Sequence, residues 1–497
     1  MSTTTTPTSS DPKSDQRQLD HSLATGLAWT AAAKWSAQVL SWASTLIVAR
    51  LLAPDDYGII GMAAVYLGVV QIISEFGLST VIVQRELPAE QISRINGISL
   101  LIGLAMFAVS AAAAPLIAMF FREPPVRAVV IVLATTYVIT SLQVVPIGVL
   151  SRERQFRRIA LIESAEVLAQ VAVTLGLAIA GASYWALIFG NIAGKLVNTT
   201  LMVSARGHRF AWPRQFSQLR SELTFGWHVV VARLSWYGYS NADFVVIGRL
   251  LGKAALGAYT FGWTIASLPA DKISGILARV TMPIFAAVQE DAAALQRYVV
   301  RISEAIVVVV LPASIGMALV ARDFVQCFLG DRWSAAIIPL QLLSIHVTIR
   351  VVNALLGQLL FAVGDARQNM RVGLWLVGIM PVLFVIGAKL WGPPGVALMW
   401  LVGHPIITFP SLIAYTARRI EMPLSRFAEA FGPPVIGVAV MAVFVLAAQA
   451  LLPRGAPSAA RLALGVGAGA VTYPAFMWLV YRERMRSLIS TIEYLRR

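Results

Sequence analysis

Long apolar runs recur along nearly the whole chain, each about helix-spanning length, with short polar loops between them. The apolar positions are continuous and do not alternate, which predicts helices crossing a lipid bilayer rather than the strands of a membrane barrel. Fourteen spans are predicted, near 24–48, 57–80, 95–120, 127–150, 159–181, 183–205, 223–247, 256–280, 298–321, 336–362, 370–391, 392–416, 431–452 and 462–481. The junctions at Gly181–Ser183 and at Trp391-Gly392-Pro393-Pro394 are so short that each predicts a tight helical hairpin.

Two polar interruptions share a pattern. Lys34 lies about ten residues into the first span, and Arg233 lies at the same depth in the seventh, 199 residues later. The same offset sets Ala49-Arg50-Leu51-Leu52 on Gly248-Arg249-Leu250-Leu251, and Gly58 on Gly257. The offset covers six predicted helices, an even number, so both copies enter the membrane in the same sense. The predicted fold is all-α and polytopic, with two parallel pseudo-symmetric six-helix lobes and two added C-terminal helices. The expected organisation is a polar tail over 1–22, an N-lobe over 23–205, a linker over 206–222, a C-lobe over 223–416, the added pair over 417–481 and a basic tail over 482–497.

Composition agrees. Of 497 residues, 58% are hydrophobic and 13% charged, whereas globular domains carry roughly a quarter charged residues. The net charge of +15 would point to nucleic acid in a soluble protein. Here 25 of the 40 Lys and Arg fall on one side of the predicted topology, 10 on the other and five inside spans. That bias places both termini in the cytoplasm and accounts for the charge without a nucleic-acid partner. The single cysteine, Cys327, excludes an intrachain disulfide framework. No cleavable signal peptide is predicted ahead of the first span, which is expected to act as its own insertion signal. Metal-ligand spacings, zinc-protease motifs and nucleophile elbows are absent. No loop exceeds about 20 residues, which argues against a glycosyltransferase or polymerase. The expectation is a protein that is not an enzyme and has no metal or other cofactor.

The string Ala49-Arg50-Leu51-Leu52-Ala53-Pro54-Asp55-Asp56-Tyr57-Gly58 resembles the polysaccharide transporter family. So do Asn241-Ala242-Asp243, Val246-Ile247-Gly248-Arg249-Leu250-Leu251-Gly252 and Leu256-Gly257-Ala258-Tyr259. Further matches are Leu268-Pro269, Arg279-Val280 with Pro283-Ile284-Phe285, and Gly330-Asp331-Arg332-Trp333. The resemblance covers about 25–415 and is closest to the branch serving colanic-acid-like exopolysaccharides. The family belongs to the multidrug/oligosaccharidyl-lipid/polysaccharide exporter superfamily. The resemblance implies a flippase of the bacterial inner membrane that moves undecaprenyl-pyrophosphate-linked oligosaccharides to the periplasmic leaflet by alternating access. The products are exopolysaccharide, O-antigen or capsule. Membrane lipids, and polymerase and export proteins of the same pathway, are the expected partners.

A charge at mid-bilayer is costly and normally faces a protein interior or a watery cavity. Lys34, Arg233 and Arg350 are therefore candidates for holding the pyrophosphate in a cavity between the lobes, Arg as a planar fork and Lys as a point charge. The competing reading is that they pair with acids or snorkel to an interface. Lys195 shares a helix face with Asn191 and Asn198, and either lines the cavity or only joins helices. Lys272 sits beside Asp271, where a local ion pair competes with substrate contact. Trp35, Trp236 and Tyr237 offer aromatic faces for sugar rings, against the usual structural use of membrane aromatics. Glu75, Asp243 and Asp271 either balance the cations or bind a coupling H+ or Na+. His346 and His404 titrate in the right range but are expected to be packed structural residues.

Two other functions compete. A drug/cation antiporter of the same superfamily would need an acidic cavity, and Lys34, Arg233 and Arg350 would repel its substrates. A non-transporting scaffold of the polysaccharide machinery is the other. Replacing Lys34 and Arg233 together by Ala is expected to abolish polymer export while membrane insertion stays intact. Normal export from that double variant removes the cation-cavity reading.

Overall fold

The computed structural model describes residues 36–74, 82–83, 87–207, 210–211, 233–453 and 455–486, with the side chains of 271–280 and Ala428 outside that description. The described residues are helices joined by short turns, with no strand among them. In chain order the helices are α1 (36–51), α2 (Pro54–Ser74), α3 (Ala89–Phe121), α4 (Pro125–Ser141), α5 (Val144–Arg152), α6 (Phe156–Ile179) and α7 (Trp185–Ala205). A short helical stretch over 233–240 then leads to α8 (Ala242–Ala287), α9 (Ala292–Phe328), α10 (Ile337–Ala362), α11 (Ala366–Arg419), α12 (Ser425–Ala450) and α13 (Ser458–Val480).

Ten of the described helices are long and apolar enough to cross a membrane, or eleven if the bent pair α4–α5 is one span. The predicted fourteen differ from that number for physical reasons. About half of the first predicted span, residues 24–35, lies outside the described residues. The fourth is bent by 41° between Ser141 and Val144. Pro146 supplies no N–H to the carbonyl one turn back, so the ladder is weakened there. Two pairs of predicted spans each follow on through a single non-helical glycine, the second at the short junction predicted around Gly392, so each pair forms one long, sharply broken element. At 54 residues, α11 would be about 80 Å long if straight, well beyond the ~30 Å hydrocarbon layer. It is broken instead at Gly392 (φ 65, ψ −148), as α8 is at Gly252 (φ 85, ψ −177). That backbone region is essentially restricted to glycine. The hairpin predicted at Gly181–Ser183 is the turn between α6 and α7, with Gly181 and Ser183 both at positive φ.

The chain divides into two compact units. The first comprises Met1–Leu51, Val70–Pro115 and Ala128–His228. Within it α6 packs closely on α7, because Gly190 and Gly194 bring α7 against Gln170, Thr174 and the Glu166 backbone. Leu150, Ile159, Ile162, Met202 and Ala205 form one apolar cluster, and Ile82, Ile95 and Val145 another. At the end of α7, Arg206 donates to both carboxylate oxygens of Glu153 at 2.8–3.1 Å, and this bond holds the guanidinium above its usual pKa.

The second unit comprises Leu52–Val69, Leu116–Arg127 and Val229–Arg497. Its centre is α10, which packs on α8, α9 and α11. The added C-terminal pair α12 and α13 packs on α9 through Val308, Val438, Met441, Val445, Tyr473 and Met477. Tyr473 donates its hydroxyl to the Val308 carbonyl at 2.9 Å, and Arg484 pairs with Glu304 at 2.7 Å.

The internal repeat is visible inside this unit. The break at Leu52–Ala53 before α2 and the break at Gly252 in α8 fall at equivalent repeat positions, since Ala53 aligns with Gly252. The two copies then cross reciprocally. A methyl group at Gly58 would overlap the Lys253 carbonyl, and one at Gly257 would overlap the Pro54 carbonyl. Pro54 is the repeat partner of Lys253 and Gly58 of Gly257, so the contact is self-complementary in the way a two-fold interface is. Lys253 also pairs with Glu123 at 3.2 Å.

Gly257→Ala is expected to destabilise the folded protein by about 1–3 kcal/mol, because the neighbour is rigid backbone. Gly432→Ala, where a methyl group would meet nothing within 4 Å, is the control. Thermal unfolding in detergent checks both, and equal midpoints would remove the crossing as a packing constraint.

Candidate functional site

The second unit contains a buried polar cluster built from three helices. Asp243, near the start of α8, is completely buried. Its carboxylate accepts from the Tyr259 hydroxyl at 2.7 Å, from Trp400 Nε1 at 2.8 Å and from the Phe244 amide at 2.9 Å. Asp243 and Tyr259 are 16 residues apart, about 24 Å along an unbroken helix. The break at Gly252 turns the two arms of α8 on each other and brings the groups together. Gly392 acts likewise in α11, where Phe384 and Trp400 pack with centroids 5.1 Å apart.

Trp400 is the hub. Its indole packs against Trp263 at 5.6 Å, His346 at 5.2 Å and His404 at 5.4 Å. The imidazoles of His346 and His404 meet edge to face at 5.1 Å. Arg350, one turn beyond His346 on α10, lays its guanidinium over Trp263 at 5.4 Å. Asn353, one turn further, donates to the Thr408 hydroxyl at 3.1 Å. The backbone of α11 widens here into π-helix at Met399–Gly403 and again at Phe409–Ala414. Pro405 and Pro410 cause this, since neither can donate to the preceding turn and each ring presses on it. Such widened turns are frequent at functional sites.

The sequence-predicted residues divide three ways. Arg350 and Asp243 belong to the cluster. Lys195 does not: its ammonium pairs with Glu166 at 2.6 Å, and Asn198 donates to the other oxygen of that carboxylate at 2.6 Å, joining α6 to α7 in the first unit. Arg233 and Trp236 are exposed on the 233–240 stretch, Trp236 by 59%. Tyr237 donates to the Ala64 and Val65 carbonyls of α2 at 3.3 and 3.2 Å. Lys34, Trp35 and Glu75 lie outside the described residues, as do the side chains of Asp271 and Lys272. Sequence reasoning passed over Trp400, Tyr259 and Trp263, and set His346 and His404 aside as structural. A signal was present in α10, where His346, Arg350 and Asn353 recur at i, i+4 and i+7 in a mostly apolar helix. Among the described residues, no group of three or more His, Cys, Asp or Glu is placed to hold a metal ion.

The described residues thus form a polytopic helical bundle with a buried, charge-bearing polar cluster. The fold is similar to a solved structure of the lipid II flippase MurJ in an inward closed conformation, with a TM-score of 0.75 and 12% identity, over 92% of this chain and 100% of that one. The chain belongs to the polysaccharide biosynthesis protein family, which matches residues 47–338, more than half of its length. Among curated relatives, it is similar to the lipopolysaccharide biosynthesis protein WzxC of Escherichia coli strain K12, 26% identical over 76% of this chain and 79% of that protein. It is also similar to the succinoglycan biosynthesis transport protein ExoT of Rhizobium meliloti strain 1021, 22% identical over 93% of this chain and 94% of that one. The expected family, one of polysaccharide biosynthesis, and the expected all-α, multi-span class are thereby borne out.

Tyr259→Phe removes a buried hydrogen bond to a carboxylate and is expected to cost about 1–2 kcal/mol. Tyr237→Phe removes longer bonds to backbone carbonyls and is expected to cost a few tenths. The two unfolding midpoints in detergent should rank in that order. The reverse ranking would show that Asp243 does not depend on Tyr259.

Proposed function

We propose that this protein flips an undecaprenyl-pyrophosphate-linked oligosaccharide from the cytoplasmic to the periplasmic leaflet of the bacterial inner membrane by alternating access. The oligosaccharide supplies exopolysaccharide, O-antigen or capsule assembly. One observation carries the reading: an arginine, Arg350, stands midway along a membrane helix inside a polar cluster, in a chain of the polysaccharide biosynthesis family. The main barrier to unassisted flipping is burial of the pyrophosphate charge. A guanidinium stacked on an indole is a fixed cation that offers a planar set of donors to phosphate oxygens. The relatives' names, which speak of lipopolysaccharide biosynthesis and succinoglycan transport, support a glycan cargo.

In this reading Lys34 and Arg233 join Arg350 as cations for the pyrophosphate, with Lys195 and Lys272 as further candidates. Trp35, Trp236 and Tyr237 provide sugar contacts. Movement is coupled to H+ or Na+, for which the intramembrane acids Glu75, Asp243 and Asp271 are the first candidates. Both termini lie in the cytoplasm, and the protein works beside the polymerase and export proteins of its pathway.

Deleting the gene is expected to cause a lipid-linked oligosaccharide to accumulate on the cytoplasmic face, and mass spectrometry of the lipid extract would identify it. Arg350→Ala is expected to reproduce the accumulation at normal protein level. If no lipid-linked sugar accumulates in the deletion and surface polymer is unchanged, the flippase reading fails.

A further inference from the structure

We propose that His346 and His404 together take up one exchangeable proton, and that this proton is the ion coupled to transport. The inference rests on the flippase reading and goes beyond it by moving the coupling ion from the intramembrane acids to a histidine pair.

The first ground is an unmet need for partners. His346 is 0% exposed, and among the described residues neither of its ring nitrogens has a hydrogen-bond partner. His404 is 5% exposed, and its Nδ1 likewise has none among the described residues. A neutral imidazole carries one donor and one acceptor. Buried polar groups are nearly always satisfied, so three unpartnered nitrogens in one place call for a ligand. Their rings meet edge to face with centroids 5.1 Å apart, close enough that a proton on one ring repels a second on the other, so the pair takes up one.

The second ground is charge. Every group bonded to Asp243 is a donor, so its surroundings suit a carboxylate. No cation forms a salt bridge with it among the described residues. The indole of Trp400 stands between this carboxylate and the imidazoles: its Nε1 faces Asp243, and both His rings pack against it at 5.2 and 5.4 Å. An imidazolium there would meet an aromatic ring, a favourable cation–π arrangement, and would balance the buried negative charge through it.

The third ground is a built-in link to an anionic substrate. Arg350 lies one turn from His346 on the same face of α10, so its positive charge opposes a proton on the pair. An anion bound at Arg350 removes that opposition. Proton and anion occupancy are then linked, and the link is reciprocal. The remaining neighbours leave this logic intact. Tyr259 on α8 and Tyr239 on the 233–240 stretch are neutral phenols, and α11 contributes Phe384 beside Trp400. On α9, Glu304 pairs with Arg484 and Asp323 accepts from Gln449. On α10 the hydroxyls of Ser344 and Thr348 are buried and neutral. The side chains of Asp271 and Lys272 are outside the described residues.

The test uses the full chain with 15N-labelled imidazoles in lipid nanodiscs. The sequence has five histidines, so His346→Gln and His404→Gln assign the two of interest. Wild-type protein titrated by ring-nitrogen NMR should show those two imidazoles changing in one linked event. In Arg350→Gln the pair should bind its proton at least tenfold more tightly. Imidazoles that keep one neutral tautomer across the titration overturn the proposal, and so does an unchanged midpoint in Arg350→Gln. In the deletion strain, wild type should restore export in a manner abolished by collapsing the pH gradient. The double variant His346→Gln, His404→Gln should lower export at least tenfold at normal protein level. If wild type restores export and the double variant matches it at every external pH, the proton site is wrong and the flippase reading stands. If wild type does not restore export, the flippase reading fails, and the titration alone decides whether the pair binds a proton.

Discussion

The structure depends on one constraint: the bilayer interior offers no water to a polar group. Backbone groups meet it by remaining helical, which is why the described residues contain helices and no strands. Side chains meet it by pairing with one another, and Asp243 is the clearest case. Its carboxylate is completely buried and takes three donors. Two of them come from segments that reach it only because α8 and α11 are broken at glycines. Glu166 meets the same constraint in the first unit by accepting from both Lys195 and Asn198.

Glycine does two separate jobs here. At Gly252 and Gly392 it permits a backbone conformation that other residues cannot hold cheaply, and so it sets where helices turn. At Gly58 and Gly257 it permits backbone to touch backbone, and so it sets how closely the repeat copies cross. The second job makes the crossing reciprocal, because each glycine meets the residue four positions before its own repeat partner. The two jobs lie side by side in Gly252 and Gly257, which ties the turn of α8 to its packing on α2.

The cluster around Trp400 brings cation, anion and imidazole together against packed aromatic rings. Guanidinium on indole and imidazole beside indole are contacts that survive dehydration well. They leave the charged groups able to gain or lose an outside partner without dismantling the helices that carry them. Two π-helical stretches flank the stretch bearing His404, so the backbone beneath the imidazole pair is the least regular in α11.

Much of the fold was legible in the sequence, because lipid imposes a simple rule on composition. Apolar runs of spanning length fixed helices and class, and the 199-residue offset between Lys34 and Arg233 exposed the repeat. Arg350 and Asp243 stood out because a charge in such a run is rare. The opening pair was less decisive than its prominence promised: Lys34 lies outside the described residues and Arg233 on an exposed surface. Hydropathy could not show that Gly252 folds Tyr259 back onto Asp243. Nor could it show that Lys195 answers to Glu166, or that His346 and His404 face each other across 58 residues of chain. Those meetings are between helices, and a one-dimensional pattern records which face of a helix is polar without recording what that face meets. The sequence by itself determined a membrane bundle with costly charges in it; only the tertiary packing decided which charges stand together, because in a medium without water their partners must come from other helices.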